Sequence, residues 1–197
     1  MILPIVAYGT KSLHEKCIDI DENYPNLSTL LDNMFETMYN ASGVGLAAPQ
    51  IGLNIRLFLV DSAQIFEGEE NNNEETEGEK GTKQVFINAQ VIEKSGKPWV
   101  YEEGCLSIPD IRENVTREET VRIQYYDENF VKHEKVFDKI TARVILHEYD
   151  HIEGVLFTDY LTPLKKRMLK KRLERISKGL IDVEYRMKFP AIKKRRS

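Results

Sequence analysis

An α+β fold in one compact domain is what the sequence predicts, on three observations. The chain has 197 residues, enough to bury one substantial core. Its 41% hydrophobic and 30% charged residues match a globular protein and exclude a disordered one. Strand-like runs fill the middle of the chain and helical segments follow, without the strand–helix alternation that builds a parallel sheet.

Taken in order, residues 28–41 carry Leu30, Leu31, Met34, Phe35 and Met38 at helical spacing. Thr29 with Asp32 is the predicted N-terminal cap of that helix and Gly43 its stop. The segment from Gly43 to Gly52 is small and poor in side-chain bulk, which predicts a loop that lets a ligand approach the backbone. Residues 55–60, apolar but for Arg56, form a compact run and read as a strand. Residues 62–84 break the composition, with seven Glu, three consecutive Asn and three Gly against two Lys. They predict a mobile surface insertion without chemistry of its own. Strand-like runs resume at 85–92, 99–101, 120–126 and 131–137. Residues 141–152 read as a helix with Ala142, Ile145 and Tyr149 on one stripe. A last helix starts at Thr162-Pro163, a cap and first-turn pair, and ends at Lys178-Gly179.

The formal net charge of −4 is unevenly spread. Residues 163–197 carry 14 Lys and Arg against 3 Asp and Glu, whereas residues 1–162 carry 14 against 29. That contrast predicts a main domain over 1–162 and a basic C-terminal helix and tail over 163–197. A basic tail either docks on a polyanion or presents a solvated face that neutralises an acidic body. No apolar run approaches the roughly 20 residues of a membrane span, so no membrane partner is expected. The first residues lack a basic n-region and a long apolar h-region, so no signal peptide is expected and the chain is read as cytoplasmic. Its two cysteines, Cys17 and Cys105, are too few for a disulfide scaffold. Cys17 has no polar motif around it and reads as a small buried apolar residue.

The strongest chemical signal is His147-Glu148-Tyr149-Asp150-His151. On a helix, residues four apart share a face, so both imidazoles reach one metal ion, and Glu148 lies where its carboxylate reaches a metal-bound water. The competing reading is two surface histidines on a charged helix, but half of the four histidines fall in this one turn. A third ligand comes either from downstream acids (Glu153, Asp159, Glu174) or from Cys105, in the turn-like Glu103-Gly-Cys-Leu-Ser107. A thiolate beside a divalent cation is deprotonated and held as a ligand.

Three segments in order, Gly43-Val-Gly-Leu-Ala-Ala-Pro-Gln50, Glu103-Gly-Cys-Leu-Ser107 and His147-Glu-Tyr-Asp-His151, resemble the signature motifs of peptide deformylases. The resemblance spans about residues 3–164 and implies antiparallel sheets around a central metal-binding helix, plus a C-terminal helix. It implies Cys105, His147 and His151 as metal ligands with a fourth position left to water, the pattern of a catalytic site. The implied metal is Fe²⁺, for which Zn²⁺, Ni²⁺ or Co²⁺ can substitute. Glu148 is the implied general base and then general acid. The Gln50 side-chain amide and the Leu106 backbone N–H are the implied oxyanion donors. Val44 and Gly45 let a peptide lie alongside as an added strand, and Val44, Tyr101 and Val144 are candidate walls of the pocket for the methionine side chain.

The implied activity removes formyl from N-formylmethionyl nascent peptides in the bacterial cytoplasm, in a chain expected to be monomeric, with the basic helix holding it near the ribosome. One departure stands out: Leu146 precedes the first histidine where the family usually has Gln, which puts in doubt hydrogen bonding around the site rather than metal binding. Arg143, one turn earlier, is expected to snorkel outward or to contact the substrate backbone. Two other readings compete. A zinc metallopeptidase would use Glu153 or Asp159 as its third ligand. A ribosome- or RNA-docking protein would carry a vestigial metal site.

Overall fold

A computed structural model describes residues 1–66 and 80–190 of the chain. Most of the predicted insertion, residues 67–79, and the last residues of the basic tail, 191–197, lie outside the described residues.

Strand β1 (Ile5–Val6) leads through a short 3₁₀ turn to helix α1 (Leu27–Asn40). Strands β2 (Gly45–Ala47) and β3 (Leu57–Asp61) and the single-turn helix α2 (Ala63–Phe66) follow. Next come β4 (Lys83–Ser95), β5 (Trp99–Cys105), β6 (Ile108–Arg117), β7 (Thr120–Tyr126) and β8 (Lys132–Asp138). Helices α3 (Lys139–Ile152) and α4 (Pro163–Ser177) and strand β9 (Met187–Lys188) complete the order.

The main sheet has five strands in the order β2-β3-β4-β7-β8, every neighbour antiparallel. Strand β3 explains why Leu57 to Val60 are apolar without a break. Phe58 and Val60 enter a cluster with Ala142, Ile145 and Leu146 of α3, while Leu57 and Leu59 join Leu31, Met34 and Met38 of α1. Both faces are buried from Leu57 to Val60, so all four of those residues are apolar, and the buried Asp61 ends the strand. Phe58 stacks on Phe86 with ring centroids 4.6 Å apart, and Phe86 packs on Tyr125 at 4.4 Å, which fixes the α3 side of the sheet.

The hairpin of β5 and β6 stands apart, closed by the two-residue turn Leu106-Ser107 with a register shift beside Gly104. Its inner residues Ile108, Ile111 and Val115 meet Leu169, Leu173 and Ile176 of α4 in a third cluster. The basic helix therefore carries an apolar stripe that belongs to the core. Strands β1 and β9 pair in parallel, Ile5 with Met187 and Val6 with Lys188.

Several expectations change in detail. Helix α1 is capped by Asn26, which has a left-handed backbone and makes no side-chain cap bond, rather than by Thr29 and Asp32. At its other end Ser42, not Gly43, takes the left-handed position (φ 54°). The N–H groups of Ser42 and Gly43 then bond Tyr39 O (3.0 Å) and Met38 O (2.9 Å), the Schellman arrangement. The predicted loop at 43–52 is the edge strand β2 followed by a 3₁₀ turn, Ala48–Ile51. The ends of the 62–84 segment are structured, as α2 and as the start of β4. Strand β6 was not predicted. The last helix follows expectation: Thr162 caps it through Lys165 N–H, Pro163 opens it, and Gly179 has φ 69° just past its end.

Candidate metal centre and substrate cavity

Helix α3 is buried along most of its length because two sheets enclose it, so its one polar turn faces inward. His147 and His151 sit one turn apart there, and the end of β5 brings Cys105 to them. The donor atoms of Cys105, His147 and His151 all lie within 4.8 Å of one another, and Cys105 Sγ is 3.3 Å from His151 Nε2. Soft thiolate and two imidazoles converging in a buried spot is a donor set that suits a divalent transition metal. Glu153 and Asp159 are elsewhere: Glu153 pairs with Arg56 (2.7 Å) and Lys16 (2.9 Å), and Asp159 accepts the Leu156 N–H at 2.9 Å. Neither joins the cluster.

Behind the donors lies a buried ionic network that the sequence did not announce. Glu103 accepts from Arg117 at 2.7 and 2.9 Å and from Arg143 at 3.0 Å, and its Oε2 is 2.9 Å from His147 Nδ1. Arg117 also donates to Asp150 Oδ2 at 2.7 Å. Burial alone would push the Glu103 carboxyl up, but Arg117 and His147 outweigh it and hold the group well below the usual carboxylate range. The charge on Glu103 orients the His147 ring with Nε2 free for a metal, which is how outer partners tune ligands.

Leu146 therefore removes nothing from His147. It is fully buried in the apolar cluster with Phe58 and Phe86, while Glu103 supplies the hydrogen bond. Arg143 does not snorkel outward, although it does line the cavity. It turns inward, is 3% exposed, donates to Glu103, Val115 O and Trp99 O, and lies over the Trp99 ring at 4.6 Å. Cys17 is buried in the core as expected, and burial pushes its thiol up to about 11, which keeps it inert.

Glu148 faces the strand at the sheet edge. A Cβ on Gly45 would lie 2.5 Å from Glu148 Oε1 and 2.7 Å from its Cγ, so only glycine fits there. Glu148 Oε2 is buried without a hydrogen-bond partner among the described residues. Burial, with Glu103 and Asp150 adding like charge and His147 opposing them, pushes the Glu148 carboxyl up to about 7. Gln50 is fixed by accepting the Ala47 N–H at 2.8 Å, which turns its amide nitrogen toward Cys105 Sγ, 3.5 Å away. These groups open on a cavity of about 650 Å³, a size suited to a small ligand or a peptide end. Its lining includes Val44, Gly45, Gln50, Tyr101, Cys105, Leu106, Val144, His147 and Glu148, so it unites every site residue expected from sequence except His151, which lies buried behind.

The polypeptide deformylase family model matches residues 2–167. The chain belongs to the peptide deformylase family. Over 196 residues it is 54% identical to the peptide deformylase of Christiangramia forsetii and 53% identical to that of Flavobacterium johnsoniae, with the whole of both chains covered each time. Its fold matches the crystal structure of a peptide deformylase from Legionella pneumophila with a TM-score of 0.76 at 31% identity, over 91% of this chain and 98% of that one. Membership in this metal-dependent hydrolase family gives the Cys/His/His cluster its meaning and leaves the peptidase and the RNA-docking readings without support.

Three groups that matter to the site escaped the sequence reading: Glu103 as the anchor of His147, Arg117 as the anchor of Glu103, and residues 182–185, which line the cavity from the C-terminal segment. Glu103 stood inside a quoted motif, so its signal was present. Arg117 and the C-terminal residues had no local signal.

Proposed function

We propose that this chain removes the formyl group from N-formylmethionyl nascent peptides, with Cys105, His147 and His151 holding Fe²⁺. The observation that carries the reading is Glu148: a buried carboxylate with an unpartnered oxygen, one residue from a metal-donor cluster and facing the cavity. A metal bound there supplies an acidified water and polarises the formyl oxygen. Glu148 accepts the proton of the attacking water and returns it to the leaving amine, a task suited to a group poised near neutrality. The Gln50 amide and the Leu106 N–H hold the oxygen on which negative charge develops, where one donor is worth about 3–4 kcal/mol.

The peptide lies along β2, the free edge of the main sheet, and the methionine side chain enters between Val44, Tyr101 and Val144. Arg143 serves the reaction through Glu103, by keeping that carboxylate charged behind His147. The Cys/His₂ set also accepts Zn²⁺, Ni²⁺ or Co²⁺, so the choice of Fe²⁺ rests on the family resemblance. The test is formate release from formyl-Met-Ala by protein purified anaerobically with Fe²⁺. Rapid release supports the reading, and a fully metallated protein that releases none ends it.

Gly45→Ala is expected to lower formate release at least tenfold with metal content unchanged, because the new methyl group displaces Glu148. Normal activity in this variant would show that the Glu148 position is not critical.

The chain acts as a monomer in the cytoplasm and docks on the ribosome through α4. No helix among the described residues is long and apolar enough to cross a membrane. Lys166, Arg167, Lys170 and Lys171 are exposed on α4, whereas Leu169, Leu173 and Ile176 are buried. Deleting the helix would thus open the core, and reversing these four charges is the cleaner test. Co-sedimentation with ribosomes is expected to be salt-sensitive and lost in the charge-reversed protein, with formate release kept. Equal binding by the reversed protein would refute docking through α4.

A further inference from the structure

We infer that the C-terminal segment around Tyr185 belongs to the active site, where the Tyr185 hydroxyl positions the Leu106 turn for catalysis; this rests on the deformylase reading above. Residues 182–185 line the same cavity as Cys105, His147 and Glu148, yet they lie beyond residues 2–167 that the family model matches. The Tyr185 hydroxyl donates to Leu106 O at 2.8 Å, and its ring packs in the apolar cluster that includes Leu106.

Leu106 is half of a two-residue turn, with the metal donor Cys105 before it and Ser107 after it. Such a turn has few bonds of its own, so its peptide planes are held by what surrounds it. Three contacts hold this one. Tyr185 grips the Leu106 carbonyl, the Tyr8 N–H donates to Ser107 O at 2.8 Å, and Leu106 Cδ1 sits where a Cβ on Gly43 would come within 2.8 Å. Two of the three contacts come from opposite ends of the chain. Those ends are tied together, since Ile5 N–H bonds Arg186 O and Ala7 N–H bonds Lys188 O, each at 2.9 Å.

Fixing the carbonyl of Leu106 restrains the backbone torsions of the residue whose own N–H serves the oxyanion. A donor for developing charge must lie within a few tenths of an ångström of its place to be effective. Tyr185 thus acts through Leu106, as a positioning residue, and touches no reacting atom.

The test compares wild type, Tyr185→Phe and Tyr185→Ala, each loaded with Fe²⁺, in formate release from formyl-Met-Ala and in hydrogen exchange of the peptide covering residues 104–108. Tyr185→Phe keeps the ring and removes only the hydroxyl. It is expected to lower kcat about tenfold with KM, metal content and Tm near wild type, the scale of one lost hydrogen bond. Exchange at 104–108 is expected to rise in the same variant. Tyr185→Phe with wild-type kcat and wild-type exchange overturns the inference. So does a loss confined to Tyr185→Ala, which would mean that the ring packs and the hydroxyl does nothing. If wild type itself releases no formate, the deformylase reading fails, and the exchange measurement still decides whether Tyr185 holds the turn.

Discussion

Glu148→Gln should reduce formate release by a factor of about 10² to 10⁴, the range expected when a positioned proton-transfer group is lost. The loss should fall on kcat, with metal content and KM near wild type, because His147 and His151 remain and the amide fills the same space beside Gly45. The same substitution should leave thermal stability equal or higher. Glu148 is buried with an unpartnered oxygen and its carboxyl is pushed up to about 7. A folded-state value above the unfolded one means that the fold loses stability as pH rises from the unfolded carboxylate range toward 7, and the penalty is constant above that. Glutamine carries no such penalty. Steady-state kinetics, metal analysis and thermal melts at pH 5 and pH 8 check these outcomes together. A variant that keeps full activity would remove Glu148 from the mechanism.

Arg117→Met should be the most destabilising substitution near the site, at about 3–5 kcal/mol, since it strands charge in the interior. Arg117 is 4% exposed and bonds Glu103 twice and Asp150 once, all within 2.9 Å. In wild type the Glu103 carboxyl lies below its unfolded value. Its contribution is therefore present above the unfolded carboxylate range and is lost as pH falls through the folded value. Removing the guanidinium takes away one of the two groups that lower this carboxyl while its burial stays, so the wild-type advantage shrinks on acidification. The stability difference should be smaller at pH 5 than at pH 7.5, as read from denaturant midpoints. Loss of metal affinity should accompany it, since Glu103 no longer holds His147 firmly. A difference that grows on acidification would contradict the assigned role of Arg117.

The elements that sequence displayed well are those whose signals are local. Helix α4 shows Thr162, Pro163 and Gly179 at its ends, and α3 shows two histidines in register on one turn. Strand β6 was hidden because its inward positions alternate correctly but hold unexpected residues. Pro109, Ile111, Glu113, Val115 and Arg117 share the inner face, and two of the five, Glu113 and Arg117, are charged. Arg117 stands there only because Glu103 and Asp150, 14 and 33 residues away, balance it. No local pattern encodes such a partnership. The same holds for Leu146, whose departure from the family pattern raised doubt about the site. Its effect depended on whether Glu103 of β5 reached His147 on α3. Gly45 was legible as a close-approach residue, but that Glu148 is what approaches became visible only with α3 in place.

The pairing of Ile5 with Met187 also has a consequence for how the protein is made. During synthesis β1 emerges long before its partner β9, since Ile5 pairs with Met187. Strand β1 has no sheet partner but β9 among the described residues, so this pairing waits until the strands and helices between them have been made. Contacts this distant in sequence form late, because the loop between them must close before they contribute. The helix bearing the histidines and the β5–β6 hairpin have all their residues available earlier. Maturation is therefore ordered: the metal donors can assemble first, and the β1–β9 clasp closes after them.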